Sequence, residues 1–500
     1  MNKFFDKFLK VNKKIIFPKK KFNGYAVLID RKRYVSAIYS SLATAAACKK
    51  YNLKPLVITD NFKLGYKKIY ESFGIEKFFK GFSYYSILEN IFVLLHSLII
   101  FLFTILKINK NEFSWLINEF KVKNINIGDL IYDSYVRKGR RYKNPKIDLY
   151  FLNILFKTIY RTINIDKIIS NYPVKFIFVS TSTYADNDAI ALRIGLEKKI
   201  KVIEPGPYNF YKYDKRNIIF GKYNLFSQGL KQRVLNKKEN IKKINLFLKN
   251  RFKGKLNTIQ TAPRDLKIAN QNKILINKSK LLKKLKISNS KIKKIILIAP
   301  HCFSDSPHGN GTFFIFRDYY QQFIETLQFI NKEKFSDILW LVRPHPSSGW
   351  FNEVGSVEQL LLKYTNNKLI KLCKVNLINT SDLVEICDHV ITGRGNIGLE
   401  FACKGKYPIL AGAASYSGLN FTKESKNKKN YFNQLLNIKK IGKLNKKQTL
   451  NAKKATYFLE NNLYNPLRFS QILDKEIIRE GNKAGKLGDD FIFCNKLIRK

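Results

Sequence analysis

The sequence predicts an α/β protein of two doubly wound lobes with a cleft between them. Three observations carry that prediction. Short apolar runs bounded by turn residues alternate with helical stretches in two separate series, the pattern of parallel sheets covered by helices. The 500 residues suffice for two such cores. A lysine- and asparagine-rich stretch with few strand signals divides the two series.

In the first series, Tyr25–Asp30 (YAVLID) reads as a buried strand and Ser40–Lys50 as an alanine-rich helix. Leu56–Asp60 reads as the next strand, followed by a helix over Lys63–Phe73. Helical stretches at Tyr84–Ile108, Asn111–Phe120 and Leu149–Ile169 interrupt the alternation. Phe176–Ser180, a helix over Asp188–Lys198 and the strand Lys201–Glu204 resume it. The first lobe spans 23–230 on this reading, behind a basic amphipathic tail over 1–22. A lysine-rich connecting region covers 231–292. The second series runs through strands Ile295–Ala299, Ile338–Val342, Val390–Thr392 and Tyr407–Ala411. Helices over Phe316–Lys332, Val357–Tyr364 and Asn396–Lys404 lie between them. That second lobe occupies 293–440, and a basic helical tail takes 441–500.

Composition excludes several function classes. With 45% hydrophobic and 14% aromatic residues, the chain is not a disordered one. Its net charge of +55 comes from 75 lysines and only 17 arginines, spread along the chain. Nucleic-acid recognition favours Arg forks and organised aromatic platforms, and no such motif is present. A surface this basic is still drawn to anionic lipid. Six cysteines without a CxxC pair exclude zinc ribbons and a dense disulfide framework. The basic start lacks the apolar core and small-residue cleavage site of a secretory signal, so a cytoplasmic location is expected.

Two segments bear on membranes. Residues 1–21 mix Phe4, Phe5, Phe8, Leu9, Ile15, Ile16 and Phe17 with eight lysines, suiting a headgroup-level helix or a frayed basic tail. Residues 90–106 form an uncharged run of 17, short of the about 20 needed to span a bilayer. A buried or membrane-facing helix near 84–108 is expected rather than a span, which makes the association peripheral.

In open α/β sheets, ligands bind beyond the carboxyl ends of the strands. Four loops of the second lobe concentrate candidates there. After Ile338–Val342 comes Arg343-Pro344-His345-Pro346-Ser347-Ser348, where two prolines hold His345 and the adjacent Arg343 suits a phosphate. An ordinary turn with a half-buried histidine is the plainer alternative. After Val390–Thr392 comes Thr392-Gly393-Arg394-Gly395-Asn396, then a helix carrying Glu400. Its glycines and exposed N–H groups suit a diphosphate, and Glu400 suits ribose hydroxyls; tight packing is the other use of such glycines. The loop Pro300–Gly311 contains His301, Asp305 and His308; Asp305 or His308 suits a general base or an acceptor contact, or is a surface turn residue. Gly412–Gly418 follows the last strand and reads as a closing loop or a plain turn. In the first lobe, Asp129 and Asp133 lie four apart on one helix face and suit deprotonation of an acceptor hydroxyl, or a solvated helix start. Ser180–Tyr184 with Asp186 and Asp188 reads as an acceptor loop or an N-cap.

At these residues the sequence resembles bacterial capsule and surface-polysaccharide glycosyltransferases with a His-Pro motif, such as capsular Kdo transferases and polysialyltransferases. The resemblance rests on Arg343-Pro344-His345-Pro346 and Thr392–Glu400. It rests more loosely on Phe303–His308 and Ile127–Asp133. It implies a GT-B-like fold of two Rossmann-type lobes, and a nucleotide-sugar donor held by Arg343, His345, Ser347, Ser348, Thr392, Gly393, Arg394, Gly395, Asn396 and Glu400. It places the acceptor and the catalytic base in the first lobe, where Asp129 and Asp133 are the candidates, while Asp305 and His308 remain candidates from their own loop; the acceptor expected is a glycan or lipid-linked glycan at the inner face of the cell membrane. Neither a cofactor nor a metal is expected. The same His-Pro and Gly-rich pair also resembles UDP-N-acetylglucosamine 2-epimerases and glycerophosphotransferases of teichoic-acid synthesis. A basic nucleic-acid or membrane scaffold protein is the non-enzyme alternative.

Overall fold

A computed structural model of the chain describes residues 3–13, 22–29, 34–59, 64–75, 77–79, 87–108, 113–205, 210–213, 234, 240–253, 276–287, 291–309, 313–333, 335–461, 476, 477 and 480. The chain divides into two compact units, Met1–Tyr135 with Lys146–Ile218 and Leu463–Lys500, and Val136–Pro145 with Ile219–Asn462.

The first unit begins with helix α1 (Lys3–Asn12), strand β1 (Tyr25–Ile29), α2 (Tyr34–Tyr51), β2 (Lys54–Ile58), α3 (Leu64–Ser72) and β3 (Phe78–Phe79). Four of the five residues of β1 are fully buried, as a central parallel strand covered on both faces requires. The alanines of α2 let that helix lie close on the sheet, and Ala43, Ala46 and Ala47 are sealed from solvent. Next come α4 (Ile87–Lys107), α5 (Ser114–Glu119), the hairpin β4 (Lys121–Val122) and β5 (Ile125–Asn126), and α6 (Gly128–Val136). Then follow α7 (Leu149–Ser170), β6 (Val174–Phe178), α8 (Asn187–Glu197), β7 (Lys201–Pro205) and β8 (Phe210–Tyr213). The sheet order is β3-β2-β1-β6-β7-β8, parallel except for β8 against β7. The expected headgroup-level tail is placed differently: Phe8 and Val11 of α1 are buried in the core of this unit, Phe8 edge-on to Phe73 at 5.8 Å. Lys14–Lys21 lie outside the described residues.

The second unit gathers α9 (Ile241–Phe252), α10 (Lys278–Lys284), β9 (Lys294–Ala299), α11 (Tyr319–Glu333) and β10 (Ile338–Val342). A 3-10 turn over Pro346–Phe351 leads to α12 (Ser356–Tyr364), β11 (Ile370–Leu372), α13 (Thr380–Ile386), β12 (His389–Thr392) and α14 (Ile397–Cys403). β13 (Pro408–Leu410), β14 (Lys423–Glu424), α15 (Lys428–Leu436) and α16 (Lys446–Asn461) complete it. Residues 241–252 and 278–284, in the stretch read as a connector, supply core side chains here. Ile244 and Leu248 pack with Leu399 and Phe458, and Leu281 and Leu282 with Leu297 and Leu339. β10 is buried along its length, its Trp340 packed against Phe335 at 5.3 Å. The sheet order is β11-β10-β9-β12-β13-β14, parallel throughout.

Both sheets therefore run third-second-first and then outward the other way, the doubly wound Rossmann arrangement that the expected α/β class requires. Each order reverses once, between β1 and β6 and between β9 and β12. At those points neighbouring connections leave in opposite directions and open a crevice beyond the strand ends.

Candidate functional site

In the second unit the reversal point is framed by the loops after β9 and β12. Ala299 and Thr392 are paired neighbours at the ends of those strands. Two residues beyond Ala299 stands His301, whose ring stacks on Tyr319 at 4.3 Å and lies nearly parallel to His345 at 6.0 Å. His345 follows β10, and its Nδ1 accepts the Ser347 N–H at 3.1 Å, capping the 3-10 turn. That bond assigns the ring proton of neutral His345 to Nε2. His301 is half-buried, yet its Nε2 is sealed from solvent and has no hydrogen-bond partner among the described residues. Burial, then the neighbouring His345 and Arg394, hold its pKa well below the ordinary histidine range, so it is neutral near pH 7. A buried polar atom left in this state costs about 1–3 kcal/mol, which a suitable ligand would recover.

The glycine loop closes over this stack. A Cβ on Gly395 would stand 2.9 Å from Thr392 Oγ1 and 3.4 Å from His301 Nε2. The neighbouring glycines make room for the protein's own rings. A Cβ on Gly393 would stand 2.9 Å from the Tyr319 ring, and one on Gly398 would stand 2.2 Å from the Tyr416 hydroxyl. That hydroxyl donates to the Gly395 carbonyl at 2.5 Å. Thr392 is buried and its Oγ1 accepts the Gly395 N–H at 3.3 Å, while Asn396 is half-buried at the helix start. With seven residues, α14 contributes little dipole. On the sequence, close approach to a ligand and tight packing are both open for these glycines; packing accounts for Gly393 and Gly398.

Arg343 is buried, with Nη1 donating to the Ile378 carbonyl at 2.6 Å and Nη2 to Val375 at 3.3 Å. Arg394 donates to the Ser306 carbonyl at 2.6 Å, the Gly309 carbonyl at 3.3 Å and the Tyr319 hydroxyl at 2.7 Å. Both guanidinium groups thus help fix these loops, Arg343 through backbone carbonyls and Arg394 through two carbonyls and the Tyr319 hydroxyl. Glu400 is turned to the connector side, with Oε1 taking the Arg251 guanidinium at 3.2 Å in a buried pair. The ribose contact expected of Glu400 competes with that pair.

The loop after β9 is held by a residue that the sequence reading passes over. Buried Glu353 accepts the N–H groups of Phe303 and Ser304, each at 2.7 Å, and the Ser304 hydroxyl at 2.5 Å. Burial raises its carboxyl pKa against the pull of those bonds. Arg140 reaches the same turn, donating from Nε and Nη2 to the Asn352 carbonyl at 3.1 and 2.6 Å. Tyr142 is fully buried against Phe303 and Tyr320. Asp305 is half-buried and accepts the Ser306 N–H at 2.9 Å, while His308 is buried edge-on to Phe314 at 6.5 Å. Ser347 is buried and Ser348 half-buried in the turn. Asn310 and Gly311 lie outside the described residues.

The acids of the first unit have structural partners. Asp129 forms a buried pair with Arg193 at 2.6 Å, tying α6 to α8. That pairing corrects the reading of Asp129 as a solvated or acceptor-facing carboxylate. Asp133 is likewise buried, at 1% exposure. Asp186 caps α8 by accepting the Ala189 N–H at 3.1 Å, and Asp188 accepts from Ser180 N at 2.5 Å. Among the described residues no group of three His, Cys, Asp or Glu is gathered to hold a metal ion.

A basic hollow of about 830 Å³ lies at the start of β13, lined by Tyr407, Lys423, Lys440 and Lys443, away from these loops.

No protein-family model matches the chain. No curated protein matches it either. Solved structures do align with it. One is the β-Kdo 2,7-transferase KpsC of Thermosulfurimonas dismutans, at 14% identity over 58% of this chain and 80% of that one, with a TM-score of 0.32. A glycosyltransferase from Rickettsia africae aligns at 13% identity over 93% and 100%, with a TM-score of 0.27. The UDP-GlcNAc 2-epimerase of Neisseria meningitidis, solved with UDP-GlcNAc, aligns at 12% identity over 91% and 99%, with a TM-score of 0.23. Likeness this distant transfers no activity, and the site must speak for itself.

Proposed function

We propose that the chain is a glycosyltransferase that takes a sugar from a nucleotide-sugar donor seated at the reversal point of its second unit. The observation that supports this most is His301. A neutral imidazole nitrogen is buried without a partner among the described residues, in a stack with Tyr319 and His345, where an open α/β sheet receives ligands.

In this reading the donor diphosphate or phosphate lies against His345 Nε2 and the N–H groups of Thr392–Asn396. His301 Nε2 bonds the same ligand, and Arg343 and Arg394 position the loops. The acceptor hydroxyl attacks the anomeric carbon as the bond from that carbon to phosphate oxygen breaks. The acceptor proton passes to a carboxylate, and the charge growing on the leaving phosphate meets the imidazole donor and backbone N–H groups. Asp305, four residues beyond His301 on the same loop, is the carboxylate this reading assigns; a capsule or other envelope glycan is the acceptor class.

Incubation with UDP-, CMP- and GDP-sugars separates this reading from epimerisation. A transferase gives slow hydrolysis alone and a new glycoside when oligosaccharide acceptor is added. Appearance of a new sugar isomer without acceptor would replace transfer by epimerisation, and inertness towards every nucleotide-sugar would remove both.

A further inference from the structure

We infer that the outward face of α4 is a membrane-docking surface, lying in the plane of an anionic bilayer at the depth of the headgroup–acyl boundary. The inference stands apart from the donor site.

The helix is amphipathic in the reverse sense. Phe92, Leu95, Ile99, Leu102, Phe103 and Leu106 all face outward, with Phe92 at 73%, Phe103 at 69% and Leu106 at 84% exposure. At about 100° per residue these positions fall within an arc of about 100°, one continuous stripe along the helix. On the opposite side, Asn90, Ser97 and Thr104 recur every seven residues. Ser97 and Thr104 are buried, and their hydroxyls donate to the Val93 and Ile100 carbonyls one turn back, each at 2.6 Å. This seam meets α7, where Phe101 packs edge-on to Phe156 at 5.6 Å. The hydroxyls of Ser97 and Thr104 turn inward and are satisfied by their own helix while large apolar side chains turn outward, with His96 the exposed polar exception; that pattern suits the boundary between headgroups and hydrocarbon.

Protein partners fit this face poorly. From Asn90 to Leu106 there is no charged residue, whereas protein interfaces carry a polar rim. The window Asn90–Lys107 has a mean hydropathy of 2.1 and is 17% buried, and it is long and apolar enough to cross a bilayer. Its seam against α7 leaves one side free, which favours lying flat over spanning. Lys107 ends the run with its ammonium 5.5 Å from the Trp115 ring, a pairing suited to headgroup level. The net charge of +55 complements anionic headgroups. α1 does not compete for this role, because Phe8 and Val11 are in the core.

The test is co-sedimentation of the full chain with phosphatidylcholine vesicles with and without phosphatidylglycerol, at low salt and at 0.5 M salt. The wild type should bind phosphatidylglycerol vesicles and keep part of that binding at high salt. The double variant Leu95→Glu/Leu102→Glu should bind at least tenfold more weakly. A matched variant, Leu362→Glu/Leu436→Glu, places the same charges on exposed leucines of the second unit and should bind as the wild type does. Thermal unfolding and nucleotide binding, read on the same samples, show that each variant is folded. Undiminished binding by Leu95→Glu/Leu102→Glu would overturn the inference in favour of lysines acting alone. A wild-type dimer that ignores vesicles and becomes monomeric in that variant would assign the face to a second copy.

Discussion

The two units share one strand order and treat the ends of their strands in opposite ways. In the first unit the acids around the strand ends pair within the fold, Asp129 with Arg193, Asp188 with Ser180 and Asp186 with the start of α8, while the buried Ser182 hydroxyl after β6 has no partner among the described residues. In the second unit the loops are fixed by Glu353, Arg343 and Arg394, and that framework leaves a buried His301 nitrogen, beside a glycine, without a partner among the described residues. The same topology supplies a crevice in both places, and each leaves a buried polar atom open there; the second differs in setting that atom, an imidazole nitrogen, among aromatic rings and glycines. A fold class by itself does not choose between them.

The sharpest way to break this contrast is at Asp129. Asp129→Asn strips the charge from a buried pair and strands Arg193, and removing one partner of such a pair costs about 3–5 kcal/mol. The expected result is a large fall in the melting temperature, with nucleotide binding retained in molecules that remain folded. Lost turnover at unchanged stability would instead return Asp129 to the chemistry.

His345→Ala probes the other side. It should lower turnover by about 100-fold, on the scale of losing one preorganised donor to a developing oxyanion, with little change in melting temperature. Steady-state rates beside a melting curve decide it; near-normal turnover would take His345 out of the mechanism.

A smaller effect follows from protons. Burial first, and then Lys294, push the His389 pKa down from 6.5 to about 4. The unfolded chain thus takes up a proton that the folded unit refuses, and stability should fall as pH drops from about 6.5 towards 4. The slope contributed by His389 is at most about 1.4 kcal/mol per pH unit, and His301 acts in the same direction. Calorimetric melting across that range should show the slope reduced in His389→Gln; an unchanged slope would place the effect elsewhere.

Much of the frame was legible because buried parallel strands write themselves as unbroken apolar runs. β1, β9 and β10 are such runs, and their positions follow directly. The edge strands β3, β11 and β14, of two or three residues, are defined by pairing with a neighbour and carry no periodicity to read. β8 is set by an antiparallel return onto β7. At the site, loop positions follow from strand ends, and the structure places His345 and Thr392–Asn396 on such loops. Side-chain direction does not follow: the carbonyls that Arg343 and Arg394 bond, at Ile378 and Ser306, are remote from them in sequence. Glu353 was hidden for the same reason. His301 had a signal, its place two residues beyond β9 at the strand-order reversal, but that reversal is a property of the assembled sheet.

The central claim, a nucleotide-sugar donor at the second reversal point, is tested most directly by calorimetric titration of the full chain with UDP, CMP and GDP. Gly395→Val should be titrated beside the wild type, because its side chain would crowd Thr392 Oγ1 and His301 Nε2. The account predicts saturable binding of one nucleotide by the wild type and at least tenfold weaker binding by the folded variant. Absence of saturable binding to all three, or equal affinity in the variant, would contradict it.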